Sequence, residues 1–323
     1  MSRAFVVSAH GGPEVLQLTD RDVGEPGPGE IKIRHTAIGL NFIDTYQRSG
    51  LYPQQMPFVP GNEGSGVVLA IGEGVAGFAP GDRITYSSTV GAYAEERLLK
   101  ADRAVPLPDG ISDQIAAAMM LKGTTAYYLL HRTFKLDASH TILVHAAAGG
   151  VGQIATQWAK EIGARVIGTA GSEEKTALAK SLGCDEVINY TTEDFVERVK
   201  AFTDNTGVDV VYDGVGKATF EKSLDCLKPL GLMVSFGNAS GPVSIPSLGI
   251  LATKGSLYVT RPTTATYLSD PAEMRKASEA LFSVVESGAV KIDINRTYPL
   301  ADVAEAHRAL ESRQTTGSVV LIP

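Results

Sequence analysis

Metal-ligating residues are scarce in this 323-residue chain. It has two cysteines, Cys184 and Cys226, and six histidines, and no histidine is paired in sequence with a cysteine. Two cysteines exclude a disulfide framework and a four-cysteine zinc lobe, and the catalytic zinc of an enzyme needs three protein ligands that no spacing here supplies. A metal-free protein of a reducing compartment is expected. Long apolar runs are missing too. No stretch of 18 apolar residues occurs, so no membrane span is expected. Ser8, His10 and Gly11-Gly12 interrupt the N-terminus before a signal-peptide core can form. The expected location is the cytoplasm. Positive charge is in deficit: 29 Lys and Arg against 36 Asp and Glu give a net charge of −7. That excludes broad attraction to nucleic acid or anionic membrane.

What is present is an ordinary globular composition, 44% hydrophobic and 20% charged, of a length that suggests about two domains. The 34 glycines exceed the usual share of about 7%, and they cluster where strands would meet helices. Residues 1–120 read as short strands punctuated by Gly and Pro. Ile31-Lys32-Ile33-Arg34 alternates with period two, 64–71 and 83–86 look like further strands, and Gly24-Glu25-Pro26-Gly27-Pro28-Gly29 is a turn cluster. This predicts an antiparallel β unit. Residues 114–121 and 124–133 read as two helices. Apolar strand candidates then begin near Thr141, Arg165, Glu186, Asp209, Leu232 and Ser256, at intervals of 21 to 24 residues. Helices fit at 151–162, 173–182, 193–202 and 219–227, while 237–255 is irregular. Such βα steps indicate a parallel sheet. Helices at 271–287 and 303–312 and a terminal strand at 318–322 are too little for a domain, and are expected to pack back onto the β unit. The expected domains are 1–123, 124–262 and a returning tail, 263–323.

The first βα turn reads His145-Ala146-Ala147-Ala148-Gly149-Gly150-Val151-Gly152. It is a dinucleotide fingerprint with alanine at the first glycine position. Gly149 lets the backbone approach a pyrophosphate, and Gly152 lets helix and strand pack closely. The helix N-terminus offers N–H groups and partial positive charge. The second strand ends in Ala170-Gly171-Ser172-Glu173-Glu174-Lys175, without the terminal acid of NAD-selective sites. Ser172 and Lys175 suit a 2′-phosphate, so NADPH is preferred to NADH. The same Ser172 also suits a helix cap, and Lys175 an exposed surface. Tyr190 fits an adenine platform or a structural tyrosine. Asp213-Gly214-Val215-Gly216 and Phe236-Gly237-Asn238 follow the fourth and fifth strands, at the carboxyl ends where ligands bind in such sheets.

A chain with this domain order resembles the medium-chain dehydrogenase/reductase superfamily. Gly61-Asn62-Glu63 stands where its zinc alcohol dehydrogenases carry Gly-His-Glu. Zinc polarises a carbonyl or alkoxide; an acceptor that is already electrophilic, such as a quinone, does not require it. Within the superfamily the chain is similar to quinone oxidoreductases of the zeta-crystallin type. The likeness rests on 39–46 (Gly39-Leu40-Asn41-Phe42-Ile43-Asp44-Thr45-Tyr46), Arg48-Ser49-Gly50-Leu51-Tyr52-Pro53, the 145–152 loop, 223–227, 231–238 and 254–262. It runs over essentially the whole chain, and 41–52 is its most specific part.

The resemblance implies an α/β protein: a GroES-like, mostly antiparallel β domain beside a Rossmann-type doubly wound parallel sheet that binds NADPH. It implies an active-site loop of Asn41, Asp44, Tyr46 and Tyr52. It implies cofactor contacts at Asn41, Phe42, Ile43, Tyr46, Tyr128, Gly149, Gly150, Val151, Gly152, Gly171, Ser172, Lys175, Tyr190, Gly214, Phe236, Gly237, Asn238, Ala239, Pro262, Thr263 and Arg313. Gly214 departs from the pattern, since a relative carries serine there; only a backbone contact survives. Asn41 and Asp44 also fit an Asx turn, and Tyr46 and Tyr52 fit rim aromatics. A tyrosine can both pack on a flat quinone and donate to its oxygen. Lys122 fits a cofactor contact or an ordinary surface lysine and is left outside the site. The implied activity is NADPH-dependent quinone reduction, in one-electron steps giving semiquinone or as hydride. Two alternatives stand beside it: reduction of α,β-unsaturated carbonyls, and a non-catalytic structural or RNA-binding role. A homodimer is expected, with the sixth strand as a sheet edge open to its twin.

Overall fold

The period-two run at Ile31-Lys32-Ile33-Arg34 does what its pattern dictates: Ile31 and Ile33 are buried and Arg34 is exposed. It belongs to β3 in a series that runs β1 (Ser2–Val6), β2 (Gln17–Arg21), β3 (Glu30–Leu40), α1 (Phe42–Ser49), β4 (Glu63–Ile71), β5 (Arg83–Ser87), β6 (Glu96–Lys100), β7 (Val105–Pro106) and α2 (Asp113–Tyr128). The computed structural model describes residues 1–312 and 315–323. Past Thr36 both faces of β3 become buried, and its end, Ala37 to Leu40, is wholly inside. One correction concerns α2. The two helices expected at 114–133 are a single helix that continues into one π-helical stretch, Leu129–Thr133. Gly123 does not break it. A side chain there would stand 2.4 Å from Leu281, so the glycine is a point of close packing rather than a stop.

The next elements are β8 (Thr141–Val144), α3 (Gly150–Ile162), β9 (Arg165–Ala170), α4 (Glu173–Ser181), β10 (Glu186–Asn189), α5 (Phe195–Phe202), β11 (Val208–Asp213), α6 (Phe220–Ser223), β12 (Leu227–Ser235), α7 (Gly249–Thr253), β13 (Tyr258–Thr260) and α8 (Thr264–Tyr267). The strands form one six-stranded parallel sheet in the order β10-β9-β8-β11-β12-β13. The order reverses between β8 and β11, which makes the switch point where such sheets bind ligands. Leu143, Ile167, Val211 and Met233 of the sheet share a core with Phe195 and Val199 of α5 and Phe220 of α6. The sixth strand is shorter than expected, three residues instead of five, and the irregular 237–255 segment holds the short α7.

The chain ends with α9 (Pro271–Glu286), β14 (Ile294–Pro299), α10 (Val303–Glu311) and β15 (Ser318–Ile322). β15 pairs antiparallel with β3 and parallel with β14, giving a sheet β14-β15-β3-β4-β5-β7 with β6 on the other part of β3. Val303, Ala306 and Leu310 of α10 enter the same core as Phe5, Ile31, Ile33 and Tyr93. The chain thus divides into two units. One comprises Met1–Thr124, Leu268–Glu286 and Ile292–Pro323; the other comprises Thr125–Tyr267 and Ser287–Lys291. Among the described residues no helix is long and apolar enough to cross a membrane.

Candidate functional site

In the first unit the site residues lie on and beside α1. Asn41 leaves β3 with extended backbone and caps the helix. Asn41 and Asp44 form a reciprocal capping box, in which the Asp44 carboxylate accepts from the Asn41 N–H at 2.8 Å. Gly50 closes the helix with a left-handed φ of 86°. The outer side of this short helix carries half-buried Phe42, Ile43 and Tyr46. Tyr52 follows, with its N–H bonded to the Tyr46 carbonyl at 3.0 Å. Tyr46 meets Tyr52 edge-on at 5.3 Å between centroids and tilts against Phe42 at 6.2 Å. The result is a partly exposed aromatic wall, suited to a flat, weakly polar molecule.

Behind this wall the side chains are polar and buried. Glu63 has no exposed surface. Its Oε1 accepts from Asn41 Nδ2 at 2.7 Å and from Lys122 Nζ at 2.8 Å, and its Oε2 accepts from the Leu121 N–H at 2.6 Å. Lys122 is therefore no surface lysine. It is 6% exposed and forms a buried ion pair. A detectable signal existed: it is the one charge in the otherwise apolar or uncharged stretch 114–130. Gly39 makes room, because a Cβ there would fall 2.2 Å from the Ala117 carbonyl and 2.3 Å from Glu63.

Asp44 is fully buried, so its carboxylate presents no face to a substrate. Its Oδ1 accepts from Asn62 Nδ2 at 2.6 Å, and its Oδ2 accepts from Tyr93 Oη at 3.0 Å as well as from Asn41. Burial raises its pKa to about 6 against the pull of these donors. Asn62, at the position of the zinc enzymes' histidine, is spent on Asp44 and on Gln47 Oε1 at 2.7 Å. Among the described residues no three His, Cys, Asp or Glu side chains gather as a metal site. Tyr93, Arg48 and His307 extend the network. Residues from three distant parts of the chain meet here, and no spacing announces them.

In the second unit the glycine loop stands at the end of β8. Ala146 takes a left-handed φ of 53°, and its carbonyl accepts from the Gly149 N–H at 2.8 Å. A Cβ on Gly152 would lie 2.2 Å from that carbonyl, while one on Gly149 would lie 3.1 Å from it. Gly152 is thus required by packing, whereas Gly149 is kept bare on its open side. No side chain caps α3, so its first N–H groups at Gly150, Val151 and Gly152 point outward from the sheet end as an anion cradle. His145, beside the loop, belongs to the core. Ser223 donates its hydroxyl proton to the Thr219 carbonyl, so its oxygen accepts from His145 Nε2 at 2.8 Å, and Nδ1 accepts from Thr169 at 2.9 Å. Burial lowers its pKa and keeps it neutral.

The other cofactor candidates gather at the carboxyl ends of neighbouring strands. At the end of β9, Ser172 caps α4 by accepting from the Lys175 N–H at 3.3 Å. Tyr190 covers Gly171 so closely that a Cβ there would meet its hydroxyl at 2.3 Å. Glu173 and Glu174 are exposed. At the ends of β11 and β12, Gly237 crosses Gly214 with 2.3 Å between its notional Cβ and the Gly214 carbonyl. Asp213 fixes that loop by accepting from Val215 N, Gly216 N and Thr219 Oγ1. Phe236, Asn238 and Ala239 line the same crossing. Arg261 donates to the carbonyls of Ser235 and Gly237, both at 2.9 Å, and so ties these strand ends together. Pro262 is buried, and Thr263 opens α8, its Oγ1 accepting from the Thr266 N–H. Tyr128 is buried and stacks on Tyr267 at 4.9 Å. Arg313 lies outside the described residues.

Known proteins resemble this chain over its whole length. Residues 27–109 match the family described as alcohol dehydrogenase GroES-like domain, and residues 150–283 the family described as zinc-binding dehydrogenase. A quinone oxidoreductase of Pseudomonas aeruginosa is 51% identical over the full length of both chains. A 2-haloacrylate reductase of a Burkholderia species is 44% identical, with 100% of this chain and 99% of that one covered. The solved structure of Escherichia coli quinone oxidoreductase complexed with NADPH superimposes with a TM-score of 0.97 at 49% identity, covering 100% of both chains.

Proposed function

The chain belongs to the quinone oxidoreductase branch of the medium-chain dehydrogenase/reductase superfamily, and from that premise we propose that it is an NADPH-dependent reductase of quinones. The observation that carries the proposal is the pairing of two features at nearly 50% identity to an NADPH-bound relative. One is the bare glycine cradle at α3. The other is the aromatic wall on α1.

The fit to NADPH rests on this chain's own residues. The space beside Gly149 and the uncapped start of α3 suit a pyrophosphate. The end of β9 carries Gly171, Ser172 and Lys175 in place of an acid, which suits a 2′-phosphate, with Tyr190 as the adenine platform. Bound there, NADPH supplies the reducing equivalents. The protein's part is positioning and desolvation. Phe42, Tyr46 and Tyr52 hold the flat acceptor, and the tyrosine hydroxyls donate to its oxygen. Asn41 and Asp44 set the helix that carries the wall.

The test is NADPH oxidation with an ortho-quinone such as phenanthrenequinone, run beside NADH and with a chelator present. Chelator-resistant, NADPH-selective turnover supports the proposal; tight NADPH binding with no quinone turnover refutes it. One-electron delivery is its finer form, and hydroquinone as sole product without a radical signal refutes that form. The 2-haloacrylate reductase relative favours a second reading, reduction of an activated C=C bond. Faster turnover of an alkenal than of the quinone would select it. We further propose a homodimer paired through β13, which is an edge strand with Tyr258 61% exposed. Light scattering at the 34.1 kDa chain mass would overturn this.

A further inference from the structure

We infer that Tyr93, His307 and Arg48 are positioning residues of the substrate site, forming a one-way hydrogen-bond chain that orients Asp44 from behind and so fixes α1 with its aromatic wall. The inference rests on the reading of that wall as the substrate surface.

The direction of the chain follows from donor chemistry. Arg48 is 2% exposed and is held by Glu311 at 2.6 and 3.2 Å and by the Gly11 carbonyl at 3.1 Å. Its Nη1 lies 2.9 Å from His307 Nδ1. A guanidinium has no lone pair to offer, so Nδ1 must accept and the ring proton sits on Nε2. Nε2 lies 3.0 Å from Tyr93 Oη and donates to it. The phenol then has its own proton left for Asp44 Oδ2, at 3.0 Å. No member can reverse without setting donor against donor. His307, Tyr93 and Asp44 are all fully buried, so water cannot repair a break.

The chain matters because Asp44 is surrounded by donors. Asn62, the Asn41 N–H and Tyr93 all point hydrogens at it. A protonated Asp44 must displace at least one of them, and each holds the capped start of α1. The titratable and charged groups that face Asp44 are Tyr93 from the 92–94 loop, Glu63 from β4 and Tyr86 from β5. Arg48 of α1 and His307 of α10 stand beyond Tyr93. Glu63, a like charge, favours protonation, and the donated Tyr93 hydrogen bond opposes it. Losing a hydrogen bond to a charged group is therefore expected to raise the Asp44 midpoint by about one pH unit, a tenfold change in proton affinity.

The experiment compares the wild type with Tyr93→Phe. The pH dependence of kcat/KM for quinone is recorded at saturating NADPH. The Asp44 midpoint is read separately by 13C NMR of aspartate-labelled protein, assigned with Asp44→Asn. The expected result is an acid limb moved up by about one pH unit, with kcat/KM recovering to within about threefold of wild type at pH 8.5. A uniform loss at every pH, with only a lower Tm, overturns the inference. If Tyr93→Phe does not fold, His307→Gln must give a smaller shift of the same sign. If the wild type fails to turn over quinone, the functional reading falls, and the NMR midpoint still decides: no movement in Tyr93→Phe overturns the chain.

Discussion

Replacing Lys122 with methionine removes one partner of an ion pair whose other member, Glu63, has no exposed surface. Breaking a buried pair from one side costs about 3–5 kcal/mol, because the remaining charge is stranded. Glu63 keeps two donors, Asn41 Nδ2 and the Leu121 N–H, so the low end, about 3 kcal/mol, is expected. At roughly 2–4 °C per kcal/mol for a domain of 150–250 residues, Tm falls by about 6–12 °C. Adding Glu63→Gln removes the stranded charge while leaving an oxygen for one of those donors. The double variant should therefore recover about 2 kcal/mol of the loss. The assay is thermal unfolding by circular dichroism on the wild type, both single variants and the double. Single losses below about 1 kcal/mol with no recovery in the double would show a pair screened like a surface one, and would refute the reasoning.

Gly149→Ala should leave the fold intact and weaken NADPH binding at least about tenfold. Gly152→Ala should instead lower stability by about 1–3 kcal/mol or more, since its Cβ meets fixed backbone; calorimetry and thermal unfolding separate the two, and identical phenotypes would refute the division. Lys175→Ala should weaken NADPH about 10- to 100-fold and NADH little, measured by fluorescence titration; equal losses would make Lys175 a bystander. Stability should fall on acidification. Burial holds His35 and His307 near pKa 3 instead of 6.5, so the unfolded chain binds protons that the folded one refuses as pH drops below 6.5. Asp44 acts oppositely: its raised carboxyl takes up a proton in the folded state between about 6 and 3.8, which offsets part of the loss. From pH 7.5 to 5.0 the net loss is about 2–4 kcal/mol, and unchanged urea midpoints would contradict it.

The βα rhythm was legible because each strand and helix announces itself locally, by period and by glycine. The glycine loop was legible for the same reason, and the close approach of Gly152 to the Ala146 carbonyl is the tight packing expected of it. Asn41 and Asp44 were readable both as site residues and as a turn, and the capping box gives them the second role whatever their part in the first. Lys122 was left open between two readings, because a lone lysine says nothing of its partner, and Glu63 lies 59 residues away. The single helix α2 was read as two, with Gly123 in the gap between them. In the fold it is a point where Leu281 packs closely.

The sequence by itself determined most of the order of strands and helices, the glycine loop after β8 and the missing acid at the end of β9, since each depends on neighbours within a few residues. Only the tertiary structure decided what lies behind the aromatic wall. Arg48 and His307 are 259 residues apart. They meet because β15 and α10 return to the first sheet, where Glu311 and the Gly11 carbonyl hold Arg48 against His307 and Tyr93 takes the other ring nitrogen.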